Sequence, residues 1–204
     1  MPTRRGLAVL GCALLLAACD GNGQRGKAGP GGVAFPADAE ITQALKADFE
    51  QDANNAKAQE LVRTLGGEGG ALEYRIKRVI YRQGAFETHY DVDLRMGQAG
   101  EQSLKSLYLA MIPKEQASKL PGQSQAEARK WLLANADSQQ AANPQQAAAL
   151  RASVEALDKC YGAAKPKDAV VLMEGLAALV SPAREGWFAE KMQSAGAALR
   201  CLPL

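Results

Sequence analysis

The chain of 204 residues carries 24 lysine and arginine residues against 22 aspartate and glutamate residues, a formal net charge of +2 at pH 7. This near balance argues against nucleic-acid binding, which normally shows a clustered basic face. The single histidine and the four cysteines leave few residues from which to build a catalytic or metal-binding centre. The length suits one domain with a substantial core.

The first segment of the chain has the features of a secretory signal. Arg4 and Arg5 give it a positive start, and an apolar run follows from Leu7 to Ala18. The run is too short to span a bilayer as a helix, which needs about 20 apolar residues. A charged start, a short apolar run and small residues at its exit are typical of a cleaved signal peptide. We therefore expect residues 1–18 to be removed.

The signal ends in Leu16-Ala17-Ala18-Cys19, which resembles the lipobox of bacterial lipoproteins. The resemblance implies that Cys19 is acylated, becomes the mature N-terminus and anchors the chain at the periplasmic face of a membrane. Asp20 resembles the inner-membrane retention mark of enteric lipoproteins, although this rule varies and leaves the outer membrane open. A plain secretory signal with an incidental cysteine is the alternative. Loss of Arg4 and Arg5 lowers the 24 basic residues to 22, which equals the 22 acidic ones.

Residues 19–37 comprise the lipidated cysteine and a flexible glycine-rich tether. It lacks apolar periodicity, so it cannot bury enough surface to offset the entropy of ordering. A flexible glycine-rich segment of this length reaches roughly 24 Å. We expect it to hold one globular domain, residues 38–204, close to the membrane.

The first part of the domain predicts a helix and then a hairpin. Apolar residues at helical spacing predict one long amphipathic helix from Asp38 to Leu65. Alternating apolar and polar residues predict a β-hairpin over about 72–96, with Gly84 at the centre of a three-residue turn. That register places apolar pairs on one face and oppositely charged pairs on the other. The pairs are Leu72–Met96, Tyr74–Leu94, Ile76–Val92, Glu73–Arg95, Arg75–Asp93 and Lys77–Asp91.

The second part predicts one more strand and about four helices. Residues of about 103–112 are apolar at nearly every position, which predicts a central strand covered on both faces. The predicted helix starts are Ser124 with Glu127 as a capping pattern, Asn143-Pro144, Asp168 and Ser181-Pro182. The expected fold is α+β, a small antiparallel sheet packed with the long N-terminal helix and a C-terminal group of helices.

Two cysteines are left for the mature domain, because Cys12 leaves with the signal and Cys19 takes the lipid. Cys160 and Cys201 form an even pair in an oxidising compartment. On the chain-entropy model their disulfide is worth about 4 kcal/mol. A redox-active pair is the alternative, but the Cys-x-x-Cys spacing of such pairs is missing. We expect a structural disulfide.

The one histidine lies in an acidic pattern. His89, Asp91 and Asp93 occupy alternate positions of a predicted strand, so they share a face and are weak candidates for a zinc site. In the expected register Arg75 and Lys77 lie opposite the two aspartates, where they repel a cation and neutralise the carboxylates. A solvated, salt-bridged face is the favoured interpretation, with no metal and no cofactor.

The chain contains no Gly-x-Ser-x-Gly elbow and no phosphate-binding glycine loop. We therefore expect a non-enzymatic binding protein with a protein partner. In architecture it is similar to the small lipid-anchored immunity proteins, which implies a toxin acting in the periplasm as the partner. An accessory lipoprotein of an envelope secretion or cell-wall assembly is the alternative. An envelope hydrolase using carboxylates such as Glu185 and Glu190 is a third interpretation.

The anchor motif yields a first prediction. Cys19→Ala should move the protein from the membrane to the soluble fraction, because the acylated cysteine supplies the hydrophobic anchor. Cell fractionation with immunoblotting measures the distribution, and Cys12→Ala is the matched control that should stay with the membrane. Membrane retention of Cys19→Ala would show the lipobox interpretation to be wrong.

Overall fold

The computed structural model describes residues 34–202. The expected signal peptide (1–18), Cys19 and most of the tether lie outside these residues. Within them the chain forms six α-helices and one antiparallel sheet of five strands. The helices are α1 (Asp38–Gln51), α2 (Ala56–Gly66), α3 (Gly100–Met111), α4 (Lys114–Ala117), α5 (Gln125–Gln139) and α6 (Pro144–Tyr161). The strands are β1 (Ala71–Arg82), β2 (Ala85–Arg95), β3 (Ala169–Pro182), β4 (Trp187–Met192) and β5 (Ala198–Leu199).

The expectation of a mixed fold with a small antiparallel sheet is confirmed. The strands follow the order β1-β2-β3-β4, and the short β5 pairs with β3. Helices α3 to α6 are inserted between β2 and β3, and α1 packs on β4, β1 and β3. Ahead of α1, Phe35 packs its ring on Phe86, with 4.8 Å between the ring centroids.

The long N-terminal helix predicted over 38–65 is wrong, because the chain breaks at Asp52. The backbone there has φ −75° and ψ 110°, outside the helical region. The Asp52 carboxylate accepts the N–H of Asn54 at 2.9 Å, a local bond that competes with the helical one. The side-chain amides of Asn55 and Gln59 both donate to the carbonyl of Phe49 near the end of α1. These bonds give the chain a stable alternative to continuing the helix.

The hairpin is confirmed, but its predicted register is wrong by two residues near the open end. The turn has two central residues, Gln83 and Gly84, with φ of 47° and 97°. Positive φ at both positions is the geometry of a type I′ turn, whose twist matches that of the flanking strands. A bulge between Ile76 and Arg78 adds a further shift, so that Ile76 pairs with Tyr90. From Leu72 to Ile76 the total shift is two residues, so these side chains keep their expected partners' face. Between Arg78 and Arg82 the shift is one residue, so the expected match of faces is lost there.

The expected charge pairs form across the hairpin as diagonal contacts. Arg75 Nε lies 2.6 Å from Asp93 Oδ2, and Lys77 Nζ lies 3.0 Å from Asp91 Oδ2. The guanidinium of Arg95 likewise bonds the carboxylate of Glu73. Long cationic side chains reach diagonal neighbours, so the pairing of charges survives the change of register.

Three other predicted elements are wrong in type. The predicted strand over 103–112 is helix α3, and the predicted helices from Asp168 and from Ser181-Pro182 are strands β3 and β4. The expected C-terminal group of about four helices is therefore reduced to α5 and α6, which begin where predicted. Short apolar runs fit a buried helix and a buried strand equally well. The spacing of the buried side chains distinguishes the helix from the strand. In α3 the buried residues Leu104, Leu107 and Tyr108 follow helical spacing. In β3 the buried residues Val170, Leu172, Ala178 and Val180 follow a period of two.

Two hydrophobic clusters form the core. One lies between α1 and the sheet and centres on Ile41, Phe86 and Val180. The other lies among α2, α3, α5, α6 and the neighbouring ends of β2 and β3. Leu72 and Met173 pack against both clusters, so the clusters meet at these two residues.

The expected disulfide is confirmed. Cys160, in α6, is bonded to Cys201, with a Cα–Cα distance of 5.7 Å. Beside it the hydroxyl of Tyr161 donates to the carbonyl of Cys201 at 2.7 Å. Together these bonds fix the end of the chain to α6.

The disulfide provides a stability prediction. Cys160→Ser with Cys201→Ser should lower the free energy of unfolding by about 4 kcal/mol, because the bond constrains the unfolded chain over a long loop. Urea unfolding measures the change. Reductant should destabilise the wild type to the same extent and leave the double variant unchanged. A loss below about 1 kcal/mol would contradict the structural role.

Candidate functional site

A cavity of about 410 Å³ lies between the sheet and the two N-terminal helices. Its volume falls within the range of about 300–1,000 Å³ found for small-molecule sites. Most of its lining is apolar and comes from α1, α2, strands β1 to β5 and the end of the chain. The apolar lining includes Leu45, Val62, Leu72, Val92, Leu172 and Leu176.

The break at Asp52 accounts for the position of the cavity. Before the break α1 packs on β4, and after it α2 packs on α3 and on the first two strands. The cavity therefore lies where the two hydrophobic clusters meet, with Leu72 and Met173 in its wall. The end of the chain closes one side through Leu202, the neighbour of the disulfide-bonded Cys201.

Exposed apolar residues lie at the mouth of the cavity. Within residues 34–202 four large hydrophobic side chains are exposed: Met111, Phe188, Met192 and Leu199. Met192 and Leu199, 40% and 43% exposed, both line the cavity. Exposed apolar residues that line a cavity are a feature of contact sites.

One lysine and two aspartates form the polar edge of the mouth. Lys191 Nζ, on β4, lies 3.5 Å from Asp48 Oδ2 and 3.2 Å from Asp52 Oδ2 at the end of α1. The N–H of Asn54 and the ammonium of Lys191 hold the pKa of Asp52 below its ordinary value. Two carboxylate groups face one ammonium group, and this edge has a net negative formal charge.

Tyr74 and Tyr90 line the cavity, with 6.1 Å between their ring centroids. The hydroxyl oxygen of Tyr74 is buried and has no hydrogen-bond partner among the described residues. Burial raises the pKa of Tyr74, and it raises the pKa of Tyr90 to about 12. A buried hydroxyl without a partner costs about 1–3 kcal/mol. By contrast, the hydroxyls of Tyr108 and Tyr161 both donate to carbonyl oxygens.

The sequence-derived metal candidates lie on the charged hairpin and not in the cavity. Asp91 accepts the N–H of Gly175 at 3.0 Å and is paired with Lys77. Burial by itself raises the pKa of Asp91, but the Gly175 N–H and the Lys77 and Arg75 cations outweigh it and hold that pKa below its ordinary value. Asp93 is paired with Arg75 in the same way.

His89 contacts Glu87 and is not grouped with the two aspartates. Its Nε2 lies 2.6 Å from Oε1 of Glu87, a residue that the sequence did not single out. In the part of the chain that the structure describes, no three histidine, cysteine, aspartate or glutamate side chains are grouped closely enough to hold a metal ion. The carboxylates Glu185 and Glu190 are exposed, one in the turn before β4 and one on β4.

Sequence reasoning missed the cavity. Its walls come from segments between Leu45 and Leu202, and no local pattern links them. The alternation that predicts the hairpin marks Tyr74 and Tyr90 as ordinary core residues. The polar stretch from Asp52 to Asn55 was the available signal, because such residues bond nearby backbone groups and interrupt helices.

Comparisons with protein-family models, with curated proteins and with solved structures found no match to this chain. Among the described residues, no helix combines the length and apolar character needed to cross a membrane. The cavity and its mouth are the features that carry a functional inference.

The buried carboxylate of Asp91 leads to a prediction of pH dependence. Because folding lowers its pKa, its contribution to stability is present above the ordinary value of 3.8 and is lost as the pH falls through the lowered value. Asp91→Asn should therefore unfold at a lower temperature than the wild type at pH 7. The difference between the two unfolding temperatures should shrink as the pH falls through the lowered pKa of Asp91. Thermal unfolding across pH 2–7 measures it, with the exposed Glu190→Gln as a control that follows the wild type. A difference that does not change with pH would contradict the assignment.

Proposed function

We propose that this chain is a non-enzymatic binding protein of the bacterial envelope, held at the periplasmic face of a membrane by the lipid on Cys19. Its binding site is the cavity between the N-terminal helices and the sheet. The observation that carries the proposal is the pairing of this cavity with exposed Met192 and Leu199 at its mouth. A pocket rimmed by exposed apolar residues is typical of a contact site.

The chemistry of the cavity favours binding over catalysis. Its charged lining residues, Asp48 and Lys191, are paired with each other. Its tyrosines have raised pKa values, so they stay protonated at neutral pH and are poorly matched to acid–base work there.

For the partner we propose a toxin that acts in the periplasm, which makes the chain an immunity protein. The lipid anchor and tether would raise its effective concentration near the membrane. A cavity with an apolar mouth can receive an apolar anchor residue of a partner, and such residues dominate the energy of many interfaces. Blocking a toxin by occupation needs no catalytic group.

An accessory role in an envelope assembly is the second proposal. The junction of α5 and α6 favours it, because residues 140–146 are all exposed and polar or small. An assembly partner would contact this junction, which lies outside the cavity lining.

The mouth of the cavity gives the test. Met192→Glu, in the anchored protein, should reduce capture of the partner at least tenfold, because a charge buried in an apolar contact lacks a compensating group. Crosslinking in intact cells, followed by affinity purification and quantitative mass spectrometry, measures the capture.

Met111→Glu is the matched control, because Met111 is 39% exposed against 40% for Met192 and lies at the end of α3, outside the cavity lining. It should capture the partner as the wild type does, and thermal unfolding should show both variants folded. Undiminished capture by Met192→Glu would rule out the mouth as the contact.

A further inference from the structure

The interior of the cavity has the volume of a small-molecule site. Its volume of about 410 Å³ compares with the roughly 30 Å³ that one water molecule takes in the liquid. The deep walls, represented by Val92 and Leu172, are buried and apolar. Water gains few hydrogen bonds against such walls, whereas a hydrocarbon chain gains from each methylene placed there.

The hydroxyl groups of Tyr74 and Tyr90 interrupt the apolar lining. The buried hydroxyl of Tyr74 has no partner among the described residues, although a buried hydroxyl ordinarily forms a hydrogen bond. The oxygen is closed to water as the structure stands, so a ligand with a hydrogen-bonding group here would satisfy it after a small shift of the Tyr74 side chain. The lining therefore favours a ligand that has a hydrogen-bonding group on its hydrocarbon chain over a pure hydrocarbon.

The charges around the mouth exclude a negative ligand. Asp48 and Asp52 share the single ammonium of Lys191. The carboxylate of Asp48, which lines the cavity, also lies close enough to Tyr74 to help raise its pKa. An anionic head group would be repelled at both places, so an uncharged group suits the site.

We propose that the cavity binds an uncharged single-chain amphiphile, with its hydrocarbon chain along the apolar walls and its one hydrogen-bonding group at Tyr74. The proposal rests on the proposed function only in taking this cavity as the binding site. The ligand lies behind the mouth that a protein partner would contact.

Calorimetric titration with straight-chain alcohols tests the proposal. The full chain is used as Cys19→Ala, so that neither detergent nor its own acyl groups compete. Affinity should rise about fourfold per added methylene from hexanol to decanol until the cavity is filled. At pH 8 decanoate should bind at least tenfold more weakly than decanol. No alcohol binding, or decanoate binding as tightly as decanol, would overturn the proposal.

Two variants locate the ligand. Ala58→Phe fills the cavity from α2 and should weaken decanol binding at least tenfold, whereas Ala47→Phe, at a half-buried alanine of α1 outside the lining, should not. Tyr74→Phe should weaken decanol binding about fivefold, the value of one hydrogen bond, and leave the gain per methylene unchanged. Tyr81→Phe, outside the lining, is its control. Equal binding by Ala58→Phe and Ala47→Phe would place the ligand elsewhere.

Partner capture and alcohol binding together distinguish failure of the ligand site from failure of the proposed protein contact. If decanol binds as described while Met192→Glu still captures the protein partner, the ligand site stands and the proposed contact fails. If no alcohol binds while Ala58→Phe abolishes capture, the cavity receives a side chain of the partner, and the amphiphile proposal is overturned.

Discussion

The break in the chain at Asp52 is the constraint on which the cavity depends. The Asp52 carboxylate accepts the N–H of Asn54, and the amides of Asn55 and Gln59 bond the carbonyl of Phe49 near the end of α1. Because the chain turns there, α1 packs on β4 while α2 packs on α3 and the hairpin. A continuous helix from Asp38 to Leu65 could not pack against both hydrophobic clusters. The space that these two helices leave against the sheet is the cavity.

Few polar contacts hold the mouth of the cavity together. Lys191 links β4 to Asp48 and Asp52 through ion pairs in which the lysine side chain is about half exposed. Exposed pairs of this kind contribute only about 0–1 kcal/mol each, so opening these ion pairs for a ligand or partner costs little. The side formed by residues 199–202 is firmer, because the disulfide and the Tyr161 hydrogen bond fix Cys201 to α6. A cavity with one firm side and one adaptable side suits binding.

The sequence predicted features that depend on local chemistry. The faces of the hairpin follow from alternation, and α5 begins where Ser124 accepts the N–H of Glu127. It did not predict features set by distant packing. The apolar runs of α3 and β3 fit either structure until their neighbours are known. The register of the hairpin depends on a two-residue turn and on a bulge at Lys77. The alternation of apolar and polar residues does not reveal either feature. The cavity itself joins residues from both ends of the domain, so no segment contained it.

Hydrogen–deuterium exchange on the intact anchored protein, free and with its captured partner, tests the central claim that the cavity mouth is the binding site. Bound partner should slow amide exchange at the end of α1, along β4 and over residues 198–202, because these segments surround the mouth. Protection confined to the junction of α5 and α6, or to the charged hairpin face around Asp91 and Asp93, would contradict the claim.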